Sequence, residues 1–449
     1  MPEPQPLTRR RVFDLAWPMV FANAALPLAG VADTFVIGLV GDAADLGGVA
    51  LGATLFNVFY WSFYFLRMST TGLAAQADGA GETAEGQRIL LRALGDATII
   101  GLVILALRIP AAAGGFAILQ GEADVEALGA TYFLVRSWGA VGVFTSFALT
   151  GWLIGLGRTR AVLIVNVAFS VANVALDLWF VLGLGWGVAG VAAATAIAEV
   201  LAAVLAALIA LDAVRRQGGW AEGALAWRSL LDAGAARRLF TVNLDLMVRT
   251  WSLILGFSWF ANVGARLGTT VLAGNHVLLQ IVSLWAFVLD AYAFVAESEV
   301  GRAVGARSVP RLRRAIRLTT EFALASGFAF MLATFAFGPA VLGAWIADPG
   351  ARASALTYLP YCAVIPLVGA MAWQLDGVFI GATRSRGMRN AAVAAVALYL
   401  LLNEALVSWL ALGAHGAWLA FLGYYVARAG TLGAAYPALE RSLRARGSL

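Results

Sequence analysis

Two carboxylates set deep in apolar sequence, Asp33 and Asp177, have the most chemistry to offer in this chain. Asn173 precedes Asp177 by four residues and so shares its face of a helix. Tyr132 and Thr195 fall at a similar depth in neighbouring apolar runs. A charge at the centre of a membrane helix costs roughly 2.5–3.5 kcal/mol on insertion scales, and such residues are functional candidates by default. Two carboxylates, an amide, a phenol and a hydroxyl make an oxygen-rich group able to hold a proton or a sodium ion. Facing carboxylates also resist ionising together. The plainer alternative is that Asp33 and Asp177 only tie neighbouring helices together.

The elements that must position these residues follow from composition. The chain has 449 residues, 61% hydrophobic and 13% charged, with a mean hydropathy of +0.82. Soluble domains run nearer 45–50% apolar and about 25% charged, so this chain has lipid for its solvent. Runs long enough to cross a bilayer lie near 13–40, 47–77, 90–112, 128–156, 160–183, 187–212, 238–265, 271–301, 315–345, 355–382, 388–410 and 415–438. The expectation is an all-α polytopic membrane protein with twelve transmembrane helices. Pro18 and Pro27 fall in the first span; Pro27 is the expected hinge, because proline removes a backbone donor.

The basic residues are all Arg, the net charge is +5 and the pI is near 9.6. Most arginines are read as lying in short connections between apolar runs, a topology signal rather than a nucleic-acid surface. One set of connections carries Arg9 to Arg11, Arg88, Arg158, Arg160, Arg215, Arg216, Arg302, Arg307, Arg384 and Arg386; the other holds little beyond Arg108, Arg266 and Arg352. The positive-inside rule then predicts cytoplasmic termini and a cytoplasmic linker at 213–237 between an N-terminal lobe, 1–212, and a C-terminal lobe, 238–449. A multi-pass protein of the bacterial cytoplasmic (inner) membrane, without a cleavable signal, is expected. In that orientation Asp33, Tyr132, Asp177 and Thr195 share a layer roughly 6–12 Å below the outer face, at 1.5 Å of rise per residue.

The two lobes share a register. Gly151, Ile154, Gly155, Arg158 and Arg160 recur 226 residues later as Gly377, Ile380, Gly381, Arg384 and Arg386. Gly79, Ala80, Leu46, Gly48 and Tyr132 recur at the same offset as Gly305, Ala306, Leu272, Gly274 and Tyr358. Six spans per repeat is an even number, so the repeats are parallel, an architecture in which substrate binds between rocking halves. The second lobe lacks the acid set: Asp33 becomes Trp259, Asn173 becomes Tyr399, Asp177 becomes Asn403 and Thr195 becomes Phe421. Asp290, Asp376 and Arg67 are also intramembrane and are candidates for cavity-lining or structural pairing. The lone Cys362 excludes an internal disulfide, and His276 and His415 lie too far apart in sequence for an evident His/Cys metal site. No Walker motif, nucleophile elbow or His/Asp cluster supports an enzyme or a self-contained ATP pump.

Several stretches resemble the multidrug and toxic compound extrusion (MATE) family, in its DinF-like branch: GVADTFVIG at 30–38, FLRMSTTGLAAQADGA at 65–80, NVALDLWFVLGL at 173–184, GVAGVAAATAIAE at 187–199, LDAYAFVAESEVGRAVGA at 289–306 and LDGVFIGATRSRGMRN at 375–390. The resemblance implies two six-helix lobes and secondary antiport of organic substrates against inward protons or sodium, with no cofactor. It assigns cation coupling to Asp33 and Asp177 with Asn173, Thr195 and Tyr132, and the bend to Pro27. A sodium ion, if that is the coupling ion, is expected at Asp33, Asn173, Asp177 and Thr195. Expected partners are small amphipathic or cationic organic molecules and membrane lipid, with no nucleic acid, and a monomer is expected. The alternatives are a lipid-intermediate flippase of the same superfamily, which calls for a strongly cationic cavity, and a non-transporting membrane scaffold.

Overall fold

In lipid every backbone N–H and C=O must be satisfied within its own segment, and apolar runs of this length meet that demand only as helices. The computed structural model describes residues 7–119, 121–225 and 232–447, and among them no strand occurs. The helices are α1 (Arg9–Val40), α2 (Ala43–Ser62), α3 (Phe65–Ala80), α4 (Thr83–Leu119), α5 (Ala123–Arg136), α6 (Ala140–Gly155), α7 (Thr159–Asp177) and α8 (Gly187–Arg216), then α9 (Ala233–Leu267), α10 (Thr269–Gly305), α11 (Val309–Trp345), α12 (Pro349–Gly381), α13 (Ser385–Asn403) and α14 (Gly413–Gly447). The pairs α2/α3 and α5/α6 are each one span with an interruption. All twelve expected spans are therefore helical. Among the described residues eleven are long and apolar enough to cross a membrane. The twelfth, α14, is long enough, but its apolar run is diluted by residues such as His415, Tyr424, Tyr425 and Arg428.

The chain divides into two compact units. One is Phe21–Arg237; the other joins Arg238–Leu449 to the residues up to Val20. The start of α1 thus packs with the later unit, where Val12, Leu15 and Ala16 meet Val295 and Leu318 and Arg9 pairs with Glu321 at 2.9 Å. Of the expected 213–237 linker, α8 runs on to Arg216 and α9 begins at Ala233, while residues 226–231 lie outside the described residues. Buried Gln87 holds the chain after α8, donating to the Gly219 carbonyl at 3.0 Å and accepting from the Ala221 amide at 2.8 Å.

The offset of 226 extends to the backbone. α2, α4, α5, α7 and α8 begin at residues whose equivalents begin α10, α11, α12, α13 and α14, and α4 and α11 also end in register. The π-helical turn Leu178–Gly183 after α7 recurs as Glu404–Trp409 after α13. The left-handed positions Gly81, Gly157, Gly185 and Gly187 recur as Arg307, Thr383, Ala411 and Gly413. Helix contacts repeat too. A Cβ on Gly151 would lie 2.5 Å from the Arg67 carbonyl oxygen, and on Gly377 it would strike the carbonyl of Ala293, the equivalent of Arg67. Gly155 meets the Thr71 carbonyl in the same way, and Gly381 that of Glu297. Small residues that let backbones approach are the standard packing device of membrane helices.

Candidate functional site

The acid cluster forms where α1, α7 and α8 meet. Asn166, Ser170, Asn173 and Asp177 recur at helical spacing and make a polar stripe along α7. Two members of the stripe hold the backbone of α1. Asn166 Nδ2 donates to the Ala22 carbonyl at 3.1 Å and Ser170 Oγ to the Ala25 carbonyl at 2.8 Å. These carbonyls lie just before Pro27, whose ring nitrogen has no hydrogen for the Asn23 carbonyl one turn back. Pro27 itself is exposed within a helix assigned without interruption.

The other two members reach Asp33, six residues beyond Pro27. Asn173 Nδ2 donates to Asp33 Oδ1 and to Thr195 Oγ1, both at 3.1 Å, and Thr195 Oγ1 lies 3.2 Å from Asp33 Oδ2. The same hydroxyl is 3.0 Å from the Val191 carbonyl, so its single proton serves one acceptor at a time. Asp177 is fully buried and within hydrogen-bonding reach of Asp33. Neither of its oxygens meets a donor among the described residues, nor does Asn173 Oδ1. A buried carboxylate without a donor, close to a second one, is completed by a shared proton or by a cation.

Tyr132 is buried and packs with Val36 and Ile37 of α1. Its hydroxyl accepts from Arg136 Nη1 at 2.7 Å, and Arg136 pairs with Glu199 at 3.0 Å and lies over the Phe56 ring at 4.2 Å. Arg136 and Glu199 were missed from the sequence. The available signal was helical spacing, since Arg136 follows Tyr132, and Glu199 follows Thr195, by four residues.

The remaining candidates separate. Arg67 is buried on α3 with its guanidinium over the Tyr64 ring at 4.9 Å. Asp290 is half-buried on α10. Asp376 on α12 is buried between Arg249 and Arg428. The expectation that arginines sit in connections needs correcting here, because Arg249 and Arg428 are buried and Arg136 half-buried inside helices, each held by an acid. At the positions equivalent to Asp33 and Asp177, Trp259 Nε1 donates to Asn403 Oδ1 at 3.2 Å.

The sequence matches the family model described as MatE over residues 18–179 and 249–406. It is 35% identical over 431 residues to the DNA damage-inducible protein F of Escherichia coli, covering 95% of this chain and 91% of that one. It is 28% identical to a probable multidrug resistance protein NorM of Bradyrhizobium diazoefficiens, covering 92% and 90%. Among solved structures, a MATE crystal structure described as in the bent conformation superposes with a TM-score of 0.88 at 20% identity, covering 98% and 97%. With the fold and the family in agreement, the chain belongs to the MatE family, in its DinF-like branch, and is a multi-pass membrane transporter rather than an enzyme.

Proposed function

We propose that this chain is a secondary multidrug efflux antiporter that exports small amphipathic organic compounds by alternating access, in exchange for protons taken up at Asp33 and Asp177. The observation that carries this reading is the fully buried Asp177 carboxylate, without a donor among the described residues, on the helix that binds Asp33 through Asn173, where the second half has the donor–acceptor pair Trp259–Asn403. Both oxygens of Asp33 are engaged by Asn173 and Thr195. A proton between Asp33 and Asp177 completes the cluster without rearranging those bonds. A sodium ion would draw on the Asp177 oxygens, Asn173 Oδ1 and Asp33 together, and is the competing outcome of the test below. The arginine distribution supports cytoplasmic termini in a bacterial inner membrane, and the antiporter works as a monomer.

Coupling runs through α1. Protonation converts charge-assisted hydrogen bonds at Asp33 into neutral ones of roughly half the strength, which frees the part of α1 beyond Pro27 to bend. Asn166 and Ser170 grip the part before it. Substrate and proton then favour opposite states of the same helix, which linkage requires of an antiporter.

The test is dye efflux from proteoliposomes under an imposed pH or sodium gradient. Wild type is expected to respond to the pH gradient, and Asp33→Asn to lose that response. Full gradient-driven transport by Asp33→Asn, or transport driven by sodium alone, would overturn the assignment.

A further inference from the structure

The later unit holds a polar centre for which the proton reading has no use. Arg249 of α9 and Arg428 of α14 both donate to one oxygen of Asp376, Oδ2, the Arg428 bond measuring 2.7 Å. Both arginines are more than nine-tenths buried, at 8% and 4% exposed. A guanidinium carries five N–H donors, so one carboxylate oxygen leaves most of ten without an acceptor at this point. Arg249 Nε is buried with no partner among the described residues, and so are the hydroxyls of Tyr399, Tyr424 and Tyr425. These groups are neighbours. Arg428 lies over the Tyr424 and Tyr425 rings at 5.6 and 5.8 Å, Tyr399 packs on Tyr424 at 5.4 Å, and the Arg249 charge reaches Tyr424.

Asp290 is the second acid of the group, its charge felt at Tyr425. Counting it, the formal charges cancel, yet Arg249 Nε and the three tyrosine hydroxyls still meet no acceptor among the described residues. In the acid cluster of the first half the balance is the other way: Asp177 Oδ1 and Oδ2, Asn173 Oδ1 and Glu199 Oε2 are unpaired acceptors, beside a single unpaired donor nitrogen, Arg136 Nε. A buried polar atom left unpaired is costly, and an N–H and three O–H groups gathered beside two guanidiniums call for a ligand that accepts.

We infer that Arg249, Arg428 and the three tyrosines form a binding site for the acidic group of an amphipathic substrate, a carboxylate or sulfonate whose apolar body lies against the tyrosine rings. The inference rests on the exporter reading and narrows its substrate class, reversing the cationic option. Guanidinium forks match the planar oxygens of such an anion, and the aromatic faces accept its apolar part.

Binding of 2-naphthoate and of its uncharged isostere 2-naphthamide to the purified full chain in detergent, with empty micelles subtracted, tests it. The acid is expected to bind wild type about tenfold or more tighter than the amide, as a hydrogen bond to a charged group allows. Arg249→Gln should bring that ratio close to one, and Tyr424→Phe should lower it several-fold. Tyr424→Phe removes one hydroxyl and no charge, so it carries the test if Arg249→Gln fails to fold. Equal binding of acid and amide by wild type, or a preference that survives both substitutions in folded protein, overturns the inference. Gradient-driven dye efflux with equal binding leaves the antiporter reading standing and removes only this one; an acid preference without gradient-driven efflux does the reverse.

Discussion

The two halves keep one backbone and carry opposite chemistry. At four positions related by 226 residues the first half has Asp33, Asn173, Asp177 and Thr195, and the second has Trp259, Tyr399, Asn403 and Phe421. Glu199 likewise corresponds to Tyr425, which packs with Tyr399, Phe421 and Trp418 in a buried aromatic cluster. The polar charge of the second half sits elsewhere, on Arg249, Asp376 and Arg428, whose equivalents are Asn23, Thr150 and Ala202. Duplication preserved where helices start, turn and touch. It did not preserve which side chains fill the space between them, so each half could acquire its own ligand.

One kind of substitution separates the two charge centres by sign. Asp376→Asn leaves two buried guanidiniums without their anion, and breaking a buried pair from one side costs about 3–5 kcal/mol. A large drop in thermal stability in detergent is expected. Asp177→Asn instead supplies an amide donor to Asp33 and removes an apposed carboxylate. It should leave stability unchanged or raise it by about 1–3 kcal/mol, the cost of an unpaired buried group, while gradient-driven transport is lost. If both variants destabilise alike, the Asp33–Asp177 contact is a structural tie and the contrast between the halves collapses.

The repeat was legible in the sequence because its strongest matches are packing glycines. Gly151/Gly377 and Gly155/Gly381 lie against the backbone of a neighbouring helix, so a side chain is excluded at each. Gly377→Ala, and the matching Gly151→Ala, should each cost about 1–3 kcal/mol through overpacking. A cost in one half only would show that the shared register no longer reflects shared packing. The acids Asp33 and Asp177 were legible because charge in an apolar run is conspicuous. Arg136, Glu199, Arg249 and Arg428 stand in apolar runs too. However, their meaning depends on partners 63, 127 and 52 residues away, for which spacing along the chain gives no sign. The interruptions of the second and fourth spans, at Phe63–Tyr64 and Ser137–Gly139, were also hidden, since the hydrophobic pattern runs straight through them.

The smallest effect probes the backbone register alone. Gly185 has φ +69 with open space around its Cβ position, and its equivalent Ala411 adopts φ +50. An L-residue in the left-handed region pays about 1–2 kcal/mol, while glycine adds about 0.4–1 kcal/mol of unfolded-state entropy to be lost. Ala411→Gly should therefore stabilise by under about 1 kcal/mol, and Gly185→Ala should destabilise by a similar amount. Melting curves of the two single variants and of the double exchange measure this directly. Equal and opposite shifts, additive in the double variant, mean that the two turns are the same turn with different residues. A gain from Ala411→Gly without a matching loss from Gly185→Ala would mean that the first half has relaxed its turn, and that the halves have begun to diverge in backbone as well as in chemistry.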